Sequence, residues 1–341
     1  MSGQVKTGQK RATVVDVARL AGVSPGTVSN ALSGKRRVDE ETRARIDSAV
    51  RELGYVPNMA ARGMRTGRAN TIALFSSMAT AVAAGPSKLG FLMEIAGSAA
   101  LTALSRNVAL VLVPPIRDPE AALRNVPFDG ALLVEPTRDD PFLALLAARD
   151  VPTVAIGEAH GAVSAHVDLN YAQTADLLID HLLNVGSRNF PLLIGTGARR
   201  YYEVFEARYR QRAAQVGMTP AVLRIDEAEG EAGAARSVAR HLAAHPETDG
   251  LLVPLDAQAT GAMEALRQAG LSVPGEVRVA TRYDGLRARA ETPALTAVDL
   301  QLDTVAATAT NALLDLVEGM ECRAHFASPL PRLVVRGSTE G

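Results

Sequence analysis

From residue 70 onward the chain repeats one pattern: a short unbroken apolar run, then a stretch with helical spacing of its apolar residues. The runs lie at residues 72–75, 108–113, 131–134, 153–156, 192–194, 251–253 and 277–280, and helical stretches such as 140–149, 172–185 and 256–269 fall between them. A strand with one wet face alternates apolar and polar residues. These runs do not alternate, so both faces have to be covered. Short buried strands alternating with helices form parallel sheets flanked by helices. The roughly 270 residues involved are many for one such sheet and suit two doubly wound lobes.

The first fifth of the chain follows a different rule. Val14, Val17, Ala18 and Ala21 fall on one helix face, with Thr13 placed to cap it and Asp16 in its first turn. Gly22-Val23 breaks the pattern. Ser24 then suits an N-cap and Pro25 the first helical position, where its missing N–H costs nothing. Thr27, Val28, Ala31 and Leu32 continue a second short helix. Asp39 caps a third, with Glu40 and Glu41 in its first turn, Ile46, Ala49, Val50 and Leu53 on its apolar face, and Gly54 at its end. Two short helices about a Gly-containing turn, followed by a third, make an all-α helix-turn-helix head.

Charge divides along the same line. The formal total of −1 argues at first against a polyanionic partner. Residues 1–68, however, hold 13 cationic and 6 acidic side chains, net +7, while the remainder holds 23 and 31, net −8. A basic head on an acidic body is the asymmetry of a chain that presents one end to nucleic acid. Cys322 is the single cysteine, so an intramolecular disulfide framework is excluded. The first eleven residues are polar and basic, no signal-type apolar segment follows, and no apolar run reaches the length of a membrane span. The expectation is a soluble cytoplasmic protein.

The stretch V-x-D-V-A-R-L-A-G-V-S-P-G-T-V-S-N-A-L, followed by R-V-D-E-E-T-R-A-R-I and L-G-Y-V-P-N-M-A-A-R, resembles the helix-turn-helix signature of the LacI/GalR family of bacterial transcription regulators. The match runs for about fifty residues without a gap. The resemblance implies a DNA-binding head over residues 1–56, a hinge helix and linker over 57–69, and an effector-binding and dimerisation body over 70–341. Its second helix would enter the major groove and read bases through Pro25, Gly26 and Asn30. Pro25 and Gly26 have no side chain that can donate to a base edge, whereas Asn30 can pair with an adenine. Direct readout is therefore thin. Thr13, Ser24, Thr27, Ser29 and Tyr55 carry hydroxyls suited to phosphate oxygens, and Arg36 and Arg37 sit in the following loop. The hinge segment from Pro57 would enter the minor groove through Asn58, Ala61 and Met64, with Met64 as the apolar wedge.

The body resembles periplasmic sugar-binding proteins. The family implies a first lobe of about 70–167 plus 300–325 and a second of about 168–299 plus 326–341, with an effector between them. Looser matches continue through A-x-x-A-G-L-S-V-P-G-E-V-R-V-A, Tyr283-Asp284, T-P-A-L-T-A-V and Pro331-Arg332-Leu333-Val334. Ligands of open α/β sheets bind beyond the carboxyl ends of the strands. That rule and the resemblance select Phe91, Tyr201, Tyr202, Arg208, Asp256 and Asp284 as effector candidates, each of which also suits a helix cap or a surface position. Three departures stand out. Phe205 occupies the place of the family's effector-gripping arginine, Gly157-Glu158 replaces an expected aspartate, and tryptophan is absent. The expected effector is accordingly not a typical free sugar; a less polar or aromatic metabolite, or a reduced response, suits these residues better.

Other chemistry is weakly signalled. Gly195-Thr196-Gly197 lacks the third glycine of a dinucleotide fingerprint and reads as a strand-to-helix turn. His241 and His245 have ligand spacing but lack the glutamate of a zinc motif. No nucleophile–base pair is evident, and no cofactor or metal is expected. The leading expectation is a repressor-type homodimer on a palindromic double-stranded DNA operator, switched by a small molecule, with no membrane partner and no heptad tail for tetramerisation. A periplasmic-type binding protein with a vestigial head, and an α/β enzyme, remain as alternatives.

Gly63 costs about 1 kcal/mol of helix propensity relative to Ala, so the hinge is expected to be unfolded without DNA. Amide exchange of the free protein should show no protection in residues 57–65; protected amides there would refute this.

Overall fold

A computed structural model describes residues 12–33, 36–55, 67–78, 90–113, 119–159 and 161–340. The hinge positions Asn58, Ala61 and Met64 lie outside the described residues. Contacts divide the chain into two compact units, Met1–Ala69 and Asn70–Gly341.

The first unit contains α1 (Val14–Ala21), α2 (Pro25–Ser33) and α3 (Glu40–Leu53). Thr13 caps α1 in a capping box with Asp16. The Thr13 N–H donates to Asp16 Oδ2 at 2.9 Å, and the Asp16 N–H donates to Thr13 Oγ1 at 3.4 Å. Ser24 Oγ accepts from the Thr27 N–H at 3.0 Å, and Asp39 Oδ1 from the Thr42 N–H at 2.8 Å. Gly22 and Gly54 end α1 and α3 in the left-handed conformation that a residue without Cβ adopts most easily. Val17, Ala18, Ala21, Val28, Ala31, Ile46 and Ala49 form the core. These side chains are small, so the unit depends heavily on its caps.

The second unit has two lobes. In the first, β1 (Thr71–Ser76), β2 (Ala109–Val113), β3 (Gly130–Val134), β4 (Thr153–Ile156), β5 (Ala165–Val167) and β11 (His325–Phe326) form one parallel sheet in the order β11-β5-β4-β3-β1-β2. Its helices are α4 (Phe91–Ser105), α5 (Pro119–Asn125), α6 (Pro141–Ala147) and α12 (Leu302–Val317). In the second lobe, β6 (Leu192–Gly195), β7 (Val222–Ile225), β8 (Gly250–Val253) and β9 (Arg278–Thr281) pair in parallel as β7-β6-β8-β9. With them go α7 (Tyr171–Asn184), α8 (Arg200–Val216), α9 (Gly230–Ala244), α10 (Asp256–Gln268) and α11 (Leu286–Ala290). A third, two-stranded antiparallel sheet joins β10 (Ala297–Asp299) and β12 (Arg332–Val334).

Both parallel sheets reverse their winding once, between β1 and β3 and between β6 and β8. Those reversals open crevices at the strands' carboxyl ends. The chain passes between the lobes after β5, after β10 and after β11. Asn170 and Gln301, both in the left-handed region, lace these passages together: Asn170 Nδ2 donates to Ser328 Oγ at 2.8 Å and to the Pro329 carbonyl at 3.0 Å, and Gln301 Nε2 donates to the Leu330 carbonyl at 3.0 Å. One apolar cluster, including Ile72, Leu132, Ile156, Leu192, Ile194 and Val305, runs through both lobes. Gly195-Thr196-Gly197 is the turn from β6 towards α8. His241 is half of a stacked pair with His245 and sits beside the Thr248 hydroxyl, an ordinary packed arrangement. Among the described residues no helix is long and apolar enough to cross a membrane, and no group of three or more His, Cys, Asp or Glu could hold a metal.

Thr13→Ala should remove about 1 kcal/mol from α1. Amide exchange of α1 should accelerate several-fold while α7 stays unchanged; equal rates in α1 would show that the cap contributes nothing.

Candidate functional site

Two surfaces carry chemistry. On the head, α2 buries Val28 and Ala31 against α1 and α3, which turns Pro25 and Gly26 to solvent and leaves Thr27, Ser29 and Asn30 half-exposed. Arg36 and Arg37 are exposed just beyond it, and Tyr55 follows α3 half-buried. The structure therefore collects these positions at the start of one short helix and the loop after it. Thr13 and Ser24 carry an additional duty, since their hydroxyl oxygens cap α1 and α2. A hydroxyl has two acceptor sites and one donor. The Thr13 hydroxyl donates to Asp16 Oδ2 at 2.7 Å, whereas the Ser24 and Thr27 hydroxyls share one bond at 2.9 Å, which leaves one of that pair able to donate to an anion.

The second surface is the cleft where the two lobes meet. Glu135 follows β3 of the first lobe in a left-handed conformation, and Arg282 follows β9 of the second. Their side chains form a bidentate pair at 2.7 and 3.1 Å, with both residues no more than 3% exposed. The guanidinium carbon lies 4.1 Å from the Tyr201 ring centre, 4.9 Å from that of Phe91 and 5.9 Å from that of Tyr171. Burial alone would push the Arg282 guanidinium towards losing its proton; the Glu135 carboxylate outweighs this and raises its proton affinity.

A second buried pair backs the first. Arg199 donates through Nε and Nη2 to Glu227 at 2.7 and 2.9 Å, and through Nη1 to the Glu135 carbonyl at 2.6 Å. The Tyr202 hydroxyl donates to the same Glu227 at 2.8 Å. Arg199 and Glu227 both belong to the second lobe, so the carbonyl bond to Glu135 crosses the cleft. Further contacts cross it, among them Arg200 to Glu158 and Arg138 to Glu203, each at 2.6 Å, the Arg138 N–H to the Ala198 carbonyl at 2.8 Å, and the Tyr283 hydroxyl to Glu94. The cavity left at the centre measures about 10 Å³ and is lined by Met78, Phe91, Leu92, Pro254, Leu255, Asp256, Arg282 and Tyr283. That is room for about one water.

Of the effector positions expected from sequence, Phe91, Tyr201 and Asp256 converge on this point, and Tyr202 flanks it. Burial pushes the Asp256 carboxyl up, with Arg287 opposing from 3.8 Å. Asp284 and Arg208 are not brought in. Asp284 is held by Arg336 at 2.9 Å and Arg289 at 3.2 Å within the second lobe; burial acts to raise its carboxyl, but those two bonds hold it below the usual range. Arg208 pairs with Asp176 across α8 and α7. Phe205 lies fully buried in the core.

Glu135, Tyr171, Arg199, Glu227 and Arg282 are not among the positions expected from sequence, although Gly157 is a usable signal. At Gly157 any side chain would collide with the Tyr171 hydroxyl, and φ is +92°. At Gly195 a Cβ would collide with the Tyr202 ring. Residues without Cβ at these strand ends are what lets the aromatic rings enter the cleft.

Arg199→Met strands Glu227 as an uncompensated buried charge. Urea unfolding should show a loss of about 3–5 kcal/mol. The double variant with Glu227→Leu should recover a large part of it; additive losses would show that the two side chains act independently.

Residues 13–58 match the model of the bacterial regulatory proteins of the lacI family, and residues 179–339 that of the periplasmic binding protein-like domain. The chain is 28% identical over 342 residues to the HTH-type transcriptional repressor PurR of Klebsiella pneumoniae (strain 342), covering 96% of each protein. It is 27% identical over 341 residues to the ribose operon repressor of Escherichia coli (strain K12), covering 96% of this chain and 99% of that protein. Among solved structures it is similar to a complex of the transcriptional regulator CelR with cellobiose, at TM-score 0.70 and 25% identity over 96% of this chain and 100% of that one. It also shares its fold with the lac repressor dimer bound to operator and the anti-inducer ONPF, at TM-score 0.80 and 22% identity over 97% and 99% of the chains. With its complete helix-turn-helix head and two-lobed body, the chain belongs to the lacI family of bacterial regulatory proteins and is a DNA-binding transcription regulator.

Proposed function

We propose that the protein represses transcription as a homodimer on a two-fold-symmetric operator, with the cleft between the lobes as its effector site. The observation that carries this is the intact head: each of its three helices starts on a side chain that caps it, and the start of α2 is turned to solvent beside two exposed arginines. A vestigial head would have no reason to keep these caps. The relatives are transcription regulators by name, which supports a regulatory rather than an enzymatic role.

Dimer formation is supported by α4, where Met93, Leu101 and Leu104 are 38%, 72% and 69% exposed. Large apolar side chains repeated along one helix favour cover by a second copy. Two heads on one DNA face would read half-sites roughly 34–36 Å apart. Affinity would come mainly from phosphate contacts by the capping hydroxyls, Tyr55, Arg36 and Arg37. Sequence readout would rest on Asn30, with Pro25 packing on a thymine methyl. The hinge residues Asn58, Ala61 and Met64 would add minor-groove contacts.

An effector would act by changing how the lobes close, and with them the separation of the two hinges. The cavity of about 10 Å³ leaves no place for a sugar while the interlobe pairs hold. Any effector therefore has to open the cleft and replace contacts the chain makes with itself. This supports an effector other than a free sugar.

The test begins with selection of bound genomic fragments to find the operator, then filter binding across ionic strength. Log affinity should fall linearly with log salt, with a slope of about −0.9 per neutralised phosphate. Arg36→Ala and Arg37→Ala should each lessen that slope by about one without altering sequence preference. Asn30→Ala should cost about 1–3 kcal/mol of discrimination at a single base pair. Salt-insensitive binding, or unchanged preference in Asn30→Ala, would overturn this reading.

A further inference from the structure

We propose that the interlobe cleft is a cation site whose ligand is the chain's own Arg282, an internal effector that holds the two lobes together without a small molecule. This rests on the reading of the cleft as the effector position.

Place is the first argument. Arg282 follows β9 at the carboxyl edge of the second lobe, beside the reversal point where an open α/β sheet takes its ligand. Its side chain reaches across to Glu135 at the corresponding edge of the first lobe. A dissolved ligand that bridged two lobes would lie along the same path.

Chemistry is the second. A planar guanidinium forked onto a carboxylate and faced by aromatic rings is the arrangement by which proteins recognise free guanidinium and ammonium compounds. Glu135 supplies the carboxylate, and Tyr201, Phe91 and Tyr171 the rings, at 4.1–5.9 Å from the guanidinium carbon. Nothing in that cage is specific to a tethered arginine.

Volume and unsatisfied atoms are the third. With Arg282 in place the cavity measures about 10 Å³. Arg282 Nε, the Tyr201 hydroxyl and Asp256 Oδ2 are buried without a hydrogen-bond partner; Arg282 and Asp256 line the cavity, and the Tyr201 ring faces the guanidinium. Native interiors leave few such atoms, and their gathering beside a one-water cavity marks a site built to exchange its occupant. Because Arg282 is tethered, it competes as a ligand at high effective concentration, so a free effector has to be a strong competitor.

The test uses the intact protein. The chain has six tyrosines and no tryptophan, and Tyr171, Tyr201, Tyr202 and Tyr283 all lie at the cleft. Acrylamide quenching of tyrosine fluorescence therefore reports opening, and thermal denaturation reports ligand binding. Arg282→Ala should melt at a lower temperature than wild type and quench more readily. Millimolar N-ethylguanidinium should restore quenching and raise the melting temperature by several degrees. The neutral N-ethylurea should do neither, and wild type should respond to neither compound. Wild-type quenching in Arg282→Ala, an opened cleft that guanidinium does not close, or stabilisation of wild type by guanidinium would each overturn the proposal. Should Arg282→Ala fail to fold, the double variant Glu135→Leu with Arg282→Leu removes both charges together, a change that buried pairs commonly tolerate. Without the Glu135 carboxylate it should show no stabilisation by N-ethylguanidinium, and stabilisation there would overturn the proposal. None of these readouts involves DNA, so this proposal and the DNA-binding reading fail separately.

Discussion

The body is organised around the burial of charge between its lobes. Removing a guanidinium and a carboxylate from water costs several kcal/mol for each ion after relaxation. Glu135 and Arg282 offset that only because the fork geometry, three aromatic faces and the closure of both lobes coincide. If any one wall moves, a charge is left uncompensated in a low-dielectric space. The cleft is thus favourable when fully assembled and costly when half-assembled, which is the energetic form of a two-state element. The Arg199–Glu227 pair and the Tyr202 hydroxyl support the same wall from the second lobe.

The head works under the opposite economy. Its core is made of Val, Ala and one Ile, so burial contributes little and local hydrogen bonds at the helix starts matter more. Thr13 and Ser24, positions proposed to meet phosphates, are also the ones whose hydroxyl oxygens cap α1 and α2, so head stability and the proposed DNA contacts share residues. The charge asymmetry, +7 on residues 1–68 against −8 on the rest, favours polyanion contact at the basic end.

Local structure was legible wherever a residue acts through its own neighbourhood. Thr13, Ser24, Asp39, Gly22 and Gly54 mark their helix ends because caps involve groups within about four residues. The buried strands β1, β3, β4, β6 and β8 were visible as unbroken apolar runs because both faces are covered. The strands that escaped are those at edges or crossings. In β7 Arg224 is exposed, β11 is only His325–Phe326, and β10 and β12 derive their identity from each other across more than thirty residues. Such strands carry no run of their own, since their cover is partial or supplied from far away in the chain.

The same distinction divides the functional residues. By itself the sequence determined a helix-turn-helix head with α2 presented by its caps, a basic end on an acidic body, and a two-lobed α/β body. Each follows from short-range periodicity, capping chemistry or a sum over charges. Only the tertiary structure decided what fills the cleft. Glu135 and Arg282 are 147 residues apart, and each alone reads as an ordinary surface charge. Their significance arises when two sheets bring their strand ends together and exclude water, so that pairing, burial and stacking act on the same atoms. That coupling is a property of three-dimensional proximity and dielectric, neither of which is written in any one segment of the chain.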